Sequence, residues 1–298
     1  MKQFILSFTI LLVCFSSFAD EPPARPSITG IAFVLIAASN LENSRGFYGK
    51  ELGLAVDSRG CGAPDSPCFT LNGSQFVALG KPKGDTSLVN EVGFLTDSVA
   101  GLKRYLTAHG VQTSDITISE SGMEFFVVWD PEGHQIAFVQ PRGREGVSVR
   151  SQVGARIIHA GFVVHDRAAE DKLYKDILGF HVYWHGGMKE GEDNWVDMQV
   201  PDGTDWIEYM LRVSPDASHK TLGVMNHIAL GVPDIHAAQQ QLIKNGWKGT
   251  EEPKIGRDGK WQLNLYDPDE TRVELMEFKP TKEPCCSPYT GPHPGPAQ

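Results

Sequence analysis

Four residues in the second half of this chain could do chemistry together: His159, Glu208, His227 and Glu274. Each interrupts a short apolar run that reads as a strand: RIIHAGFVV, WIEYMLRV, MNHIALGV and TRVELMEF. The His–Glu separations are 49 and 47 residues, and the His–His and Glu–Glu separations are 68 and 66. One histidine and one carboxylate therefore recur at equivalent places in a repeated unit. A lone His or Glu on a strand is ordinarily solvated or satisfied locally. Two carboxylates inside apolar strands, by contrast, need a cation or donors once buried. Two imidazoles and two carboxylates suit one borderline divalent ion: nickel, zinc, cobalt, iron or manganese.

The elements that must position these residues repeat four times. Each unit reads as strand, helix ending at glycine, then further strands. The first runs from about Ile28 to Lys81, with strand ITGIAFVLI, a helix over Leu41 to Lys50, and Gly53. The second runs from about Leu88 to Pro141, with strand NEVGFL, a helix over Ser98 to Ala108, and Gly110. The third runs from about Ala155 to Val213, with a helix over Asp166 to Ile177 and Gly179. The fourth runs from about Val224 to Pro280, with a helix over Pro233 to Lys244 and Gly246.

Local chemistry supports the helices. Ala169, Leu173 and Ile177 form one apolar stripe, as do Ile235, Ala238 and Leu242. Asp166 is placed to cap a start, and Gly179 and Gly246 suit left-handed ends. WDPEGHQIAFVQP (129–141) parallels YDPDETRVELMEF (266–278), an Asp-Pro turn followed by a last strand. These units predict an α+β protein of four βαβββ modules paired into two domains, 28–141 and 155–280. Polar, Gly-containing RGREGVSVRSQVG (142–154) reads as the linker, and the Pro/Gly-rich tail (281–298) as a segment without regular structure.

With 298 residues, 41% hydrophobic and 21% charged, the chain is long enough for two globular domains. A net charge of −10 with no basic stripe argues against nucleic acid or an anionic membrane as the main partner. Residues 1–19 read as a secretory signal: Lys2, an apolar core from Phe4 to Phe15, and Ser17-Phe18-Ala19 before Asp20. That core is short for a membrane span, so an exported protein with no stable span after cleavage is expected. Cys14 leaves with the signal, and Cys61, Cys68, Cys285 and Cys286 remain. Their three pairings stay open, and no C-x-x-C pair supports a cysteine metal site.

The βαβββ unit with a metal residue on its first and last strands resembles the vicinal oxygen chelate superfamily, over about Ile28 to Pro280. That group includes glyoxalase I, methylmalonyl-CoA epimerase, extradiol dioxygenases and antibiotic-resistance proteins. The resemblance implies paired units whose sheets curl into a cup around one metal. His159 and Glu208 match the first- and last-strand ligands of one unit, and His227 and Glu274 those of its partner. In the N-terminal half the same places fall at Gly30, Phe76 or Val77, Glu91 and Ala137, so that half reads as a degenerate copy. The substrate implied is a small molecule that chelates through adjacent oxygens. The chemistry implied is isomerase or lyase chemistry through an enediolate or related oxyanion, with Glu274 or Glu208 as proton-transfer base and Glu274 favoured.

Two other activities stay open. Extradiol dioxygenases resemble one another in two His, one Glu and a further histidine before the last strand. Here that stretch is IGRDGKWQLNLYDPD, with Asp258 where a His is expected. Tyr266 keeps ring cleavage open as a donor beside the site. A ligand-sequestering protein of the resistance type is the non-catalytic alternative. Trp206, two residues from Glu208 on one strand, could wall the cup. Trp184, Trp195, Trp247 and Trp261 read as core, and His165, His181 and His185 as surface. Arg156, Arg212 and Arg272 flank the ligand strands and read as surface too. Cups of this kind pair at edges, so a homodimer is a further expectation.

Overall fold

The computed structural model describes residues 23–56, 66–84, 88–119, 121–140 and 151–296. The signal segment, most of the linker and Cys61 lie outside them.

The described chain forms two eight-stranded sheets of identical topology. In the first, β1 (Ile28–Ala37), α1 (Leu41–Arg45), β2 (Ala55–Val56), β3 (Cys68–Thr70) and β4 (Phe76–Gly80) make one βαβββ unit. The second unit is β5 (Val89–Thr96), α2 (Val99–Ala108), β6 (Thr117–Ile118), β7 (Glu124–Trp129) and β8 (Gln135–Gln140). The other sheet repeats this. Its units are β9 (Arg156–Val163), α3 (Arg167–Asp171), β10 (His181–Gly186), β11 (Trp195–Gln199) and β12 (Trp206–Met210), then β13 (His227–Val232), α5 (Ile235–Asn245), β14 (Lys254–Ile255), β15 (Trp261–Tyr266) and β16 (Arg272–Glu277). A short α4 (His219–Met225), capped by Ser218, joins these two units and was not expected.

The first strands of paired units run antiparallel at the centre of each sheet, β1 on β5 and β9 on β13. Each is flanked by its own unit's last strand in parallel register. This α+β arrangement brings the first and last strands of both units side by side.

The helices begin where a side chain accepts from an orphan N–H: Asn40, Ser98, Asp166 and Asp234. After α1 and α3 the chain continues in wider π-helical turns, Gly46–Glu51 and Lys172–Ile177. Gly179 and Gly246 have φ of 81° and 103°, the left-handed ends that glycine permits. Val99, Leu102 and Leu106 of α2, and Ile235, Ala238 and Leu242 of α5, bury their stripes in a core shared by both domains.

Register corrects the expected ligand places of the first domain. Trp206 is opposite His159, and Glu208 is two residues beyond Trp206. In the first sheet Phe76 is opposite Phe33. The counterparts of His159 and Glu208 are thus Phe33 and Ala78, not Gly30 and Phe76 or Val77. Gly30 instead corresponds to Arg156: it pairs with Leu95 as Arg156 pairs with Gly231, three residues before Phe33 and His159 respectively. Glu91 and Ala137 do stand opposite Leu35 and Gly93, matching His227 and Glu274. Stacked Phe33 and Phe76 rings, 5.1 Å apart, fill this cup together with Ala78, Val127 and Ala137.

Reciprocal bonds join the domains. Tyr48 Oη donates to Asp267 Oδ2 at 2.9 Å, and Tyr174 Oη donates to Asp130 Oδ2 at 3.1 Å. Gln75 exchanges two hydrogen bonds with Ile157, and Asp205 Oδ2 accepts from the Ile31 N–H. The described part of the C-terminal tail, residues 281–296, has no regular element but is fastened to the second sheet. Trp184 Nε1 donates to the Cys285 carbonyl, Tyr183 meets His293, and Gln199 donates to the Pro292 carbonyl. Cys285 and Cys286 are bonded to each other.

Candidate metal centre

Four adjacent strands deliver the four residues singled out in the sequence. His159 sits on β9 and His227 opens β13, with the register pairing His227 to Gly161 and His159 to Ala229. A Cβ at Gly161 would fall 2.1 Å from the His227 ring, so this close imidazole packing requires the glycine. Glu208 lies on β12 and Glu274 on β16. All four side chains turn into one cup.

His159 Nε2 and His227 Nε2 are 3.0 Å apart. Glu208 Oε2 is 3.0 Å from His227 Nε2 and 3.7 Å from His159 Nε2. Glu274 Oε2 lies 3.6 Å from His159 Nε2 and 3.9 Å from His227 Nε2. Two metal bonds of about 2.1 Å at a right angle leave their donors about 3 Å apart. The two shortest separations match that edge. His159, Glu208 and His227 form the tight group, and Glu274 stands slightly wider. His227 Nδ1 is 2.8 Å from the Met225 carbonyl, which places the proton there and leaves the Nε2 lone pair facing the cup. The His159 ring leans on Trp206, with centroids 4.7 Å apart. The donor set fits a divalent ion: two imidazoles and two carboxylates could hold one.

Burial lowers His227 to about 3, with Arg272 adding to the effect, and burial lowers His159 as well. Both rings are therefore neutral, the form that binds metal. Burial raises Glu208, partly offset by His159 and Arg272. Burial also pushes Glu274 upward, but Arg272 and His159 outweigh it and hold that carboxyl at about 2. Arg272 is no surface residue: its Nη2 lies 2.8 Å from His227 Nε2.

The cup opens into a cavity of about 350 Å³. Trp206 lines it, and so do Trp184 and Trp195, whose sequence context reads as core. Tyr266 does not. It ends β15 and is 39% exposed, while Asn264, two residues earlier, takes the inward place. Asp258 also lines the cavity, and burial raises it to about 6 against the pull of Lys260. Two residues carried no signal in the sequence. Asp197 faces Glu208 across the β11–β12 ladder. Lys260 is fully buried, its Nζ 4.5 Å from the Trp206 ring and close to Tyr183 and Tyr289, without a hydrogen-bond partner. Its partners come from distant strands and the tail, so no local pattern announces it.

Two curled sheets of paired βαβββ units, one cup filled with phenylalanine and one lined with His and Glu, define a paired-cup protein. The Glyoxalase/Bleomycin resistance protein/Dioxygenase superfamily model matches residues 156–275. A lactoylglutathione lyase from Haemophilus influenzae is 27% identical over 129 residues, 43% of this chain and 96% of that protein. Among solved structures, a variant of homoprotocatechuate 2,3-dioxygenase from Brevibacterium fuscum has a TM-score of 0.65 at 20% identity, covering 91% of this chain and 75% of that one. The Arthrobacter globiformis homoprotocatechuate 2,3-dioxygenase has a TM-score of 0.62 at 19% identity, covering 89% and 84%. The superfamily model thus covers the second pair of units, and the chain shares the fold of the two dioxygenases. Among the described residues no helix is long and apolar enough to cross a membrane.

Proposed function

We propose that this chain is an exported, metal-dependent enzyme of glyoxalase type, working on a small substrate with adjacent oxygens by isomerase or lyase chemistry. The observation that carries this reading is the second carboxylate. Glu208 Oε2 stands 3.0 Å from His227 Nε2, as close as the imidazoles stand to each other. With an ion bound, Glu208 would take a coordination place that catechol and dioxygen together need open.

His159, His227, Glu208 and Glu274 would hold the ion, which supplies Lewis-acid stabilisation of negative charge on the substrate oxygens. The protein's own groups do the rest. A carboxylate beside the substrate removes a proton from the carbon next to a carbonyl and returns it to the neighbouring carbon. We assign that task to Glu208 rather than Glu274. Its side chain is 13% exposed against 4%, and it is the more basic of the two in this setting. Arg272 is placed to donate to the developing oxyanion. Trp184, Trp206 and Met276 line the cavity and keep water from the reacting carbons.

The indoles of Trp184, Trp195 and Trp206 also suit a flat ring, which favours extradiol cleavage as the second reading. Metal analysis of the mature chain, followed by assays with each candidate ion, tests both. Nickel, zinc or cobalt with isomerisation of α-hydroxycarbonyl or α-ketocarbonyl compounds supports the first. Activity confined to ferrous iron, catechols and dioxygen replaces it with the second. Binding of such compounds without turnover under any ion would mark a sequestering protein.

A further inference from the structure

The two domains meet at two corners related by the internal repeat, and the corners differ. In each, a tyrosine from one domain donates to an aspartate in the Asp-Pro turn of the other. The turns are built alike. Asp130 N donates to the His134 carbonyl and Asp267 N to the Thr271 carbonyl. Asp130 Oδ1 accepts from the His134 N–H at 2.7 Å, and Asp267 Oδ1 from the Thr271 N–H at 2.9 Å. The helices match too: Ser44 N donates to the Asn40 carbonyl and Glu170 N to the Asp166 carbonyl. Thr271 and Ser44 at one corner thus correspond to His134 and Glu170 at the other.

The Tyr–Asp bond alone suffices to close the plain corner, so His134 and Glu170 are additions. They are costly ones. Glu170 is 0% exposed, and its Oε1 accepts from the Glu132 N–H at 3.0 Å while its Oε2 has no partner. Asp130 is 5% exposed and contributes a second carboxylate to the same space. Donor atoms of Asp130, His134 and Glu170 all lie within 4.8 Å of one another. Nearby Glu132 is already committed to His165 and to the Asp166 N–H. His134 Nδ1 already stands 2.7 Å from Asp130 Oδ2, and a buried carboxylate oxygen without a donor beside that pair asks for a cation. The His134 side chain is 25% exposed, so an ion there would reach solvent and complete its shell with water.

We infer that Asp130, His134 and Glu170 form a second divalent-cation site, of the zinc class, that clamps the two domains at one corner of their seam. One imidazole and two carboxylates select a borderline ion over calcium, which prefers oxygen alone. The site lies outside the cup and does not depend on the reaction carried out there.

The test is zinc content after loading and desalting, with folding checked by circular dichroism. The variants are His134→Thr with Glu170→Ser, which install the residues the plain corner already carries. They are made in the full chain and again in a His159→Ala, His227→Ala background that disables the cup. The expected result is one zinc per chain in that background, lost when His134→Thr and Glu170→Ser are added. Zinc should also raise the melting temperature of the background protein and leave that of the combined variant unchanged. A folded background protein that retains no zinc overturns the site, as does zinc that persists in the combined variant. Should the background protein not fold, the full chain decides: loss of one equivalent on His134→Thr with Glu170→Ser supports the site, and no loss overturns it. Failure of the cup would show differently, as a wild-type chain holding a single zinc that these two substitutions remove.

Discussion

Asp197 and Glu208 stand directly opposite each other on β11 and β12, two carboxylates on one face of a buried ladder. Like charges so placed repel. Burial and the facing Glu208 push Asp197 well above the usual carboxylate range. A carboxyl raised in the folded state binds its proton more tightly there than in the unfolded chain. Its cost is absent below the unfolded value and grows as pH rises through the folded one. Asp197→Asn is therefore expected to raise the melting temperature of the metal-free protein at pH 8 more than at pH 4. An equal shift at both values would argue against the raised Asp197 carboxyl.

Glu208→Gln removes the proposed base while keeping shape and one ligand oxygen. General-base losses are typically about 10²–10⁴-fold. Turnover per bound ion should fall by that order in Glu208→Gln and change much less in Glu274→Gln. Stopped turnover and ion analysis on the same samples separate the two roles. The opposite pattern would exchange them.

Lys260 is a buried cation facing Asp197, Asp258, Glu208 and Glu274. Burial lowers its own affinity for the proton, and the carboxylates raise it. Lys260→Met removes the positive charge at similar volume. The carboxylates then hold protons more tightly, and protons compete with metal. Metal retention measured against pH should move to a higher midpoint. A lower midpoint would show that Lys260 acts mainly by repelling the ion, and an unchanged one that it serves packing alone.

Glu91 occupies in the first cup the place His227 holds in the second, and burial raises it to about 7 against the pull of Lys83. The sign follows from that direction. With an unfolded value near 4.5, the folded chain loses stability as pH rises from there to about 7, at a slope of up to about 1.4 kcal/mol per pH unit. Glu91→Gln should flatten this part of the stability profile. Urea midpoints at pH 5 and pH 8 check it.

Phe76 and Phe33 fill the first cup by stacking. Phe76→Ala leaves a cavity there and should cost about 3–5 kcal/mol, the range for removing a buried aromatic. The second cup belongs to the other sheet, so bound metal should be unaltered while the urea midpoint drops. Loss of metal in this variant would mean that the cups are coupled.

Much of this was legible in the sequence because polar residues in apolar strands stand out and recur at the repeat spacing. His159, Glu208, His227 and Glu274 were visible for that reason, and the helix cap at Asp166 by its side-chain chemistry. Register was harder. The counterpart of His159 is Phe33 and not Gly30, because β1 runs further past its pairing partner than its apolar pattern tells, and only the ladder to β4 fixes that register. Tyr266 has the parity of Asn264, but the strand runs out to solvent at its position. Trp184 and Lys260 depend on contacts with the tail and with distant strands. Nothing in their neighbourhood along the chain foretells those contacts.

The seam between the domains is reciprocal. Each half supplies a tyrosine to the other's turn, and Gln75 and Asp205 bind backbone across the same line. None of these bonds uses the peptide connection between Gln140 and Ser151. A nick in that stretch leaves every one of them in place. Two fragments, expressed separately, would carry matching halves of one lock and should reassemble by complementation into a single particle.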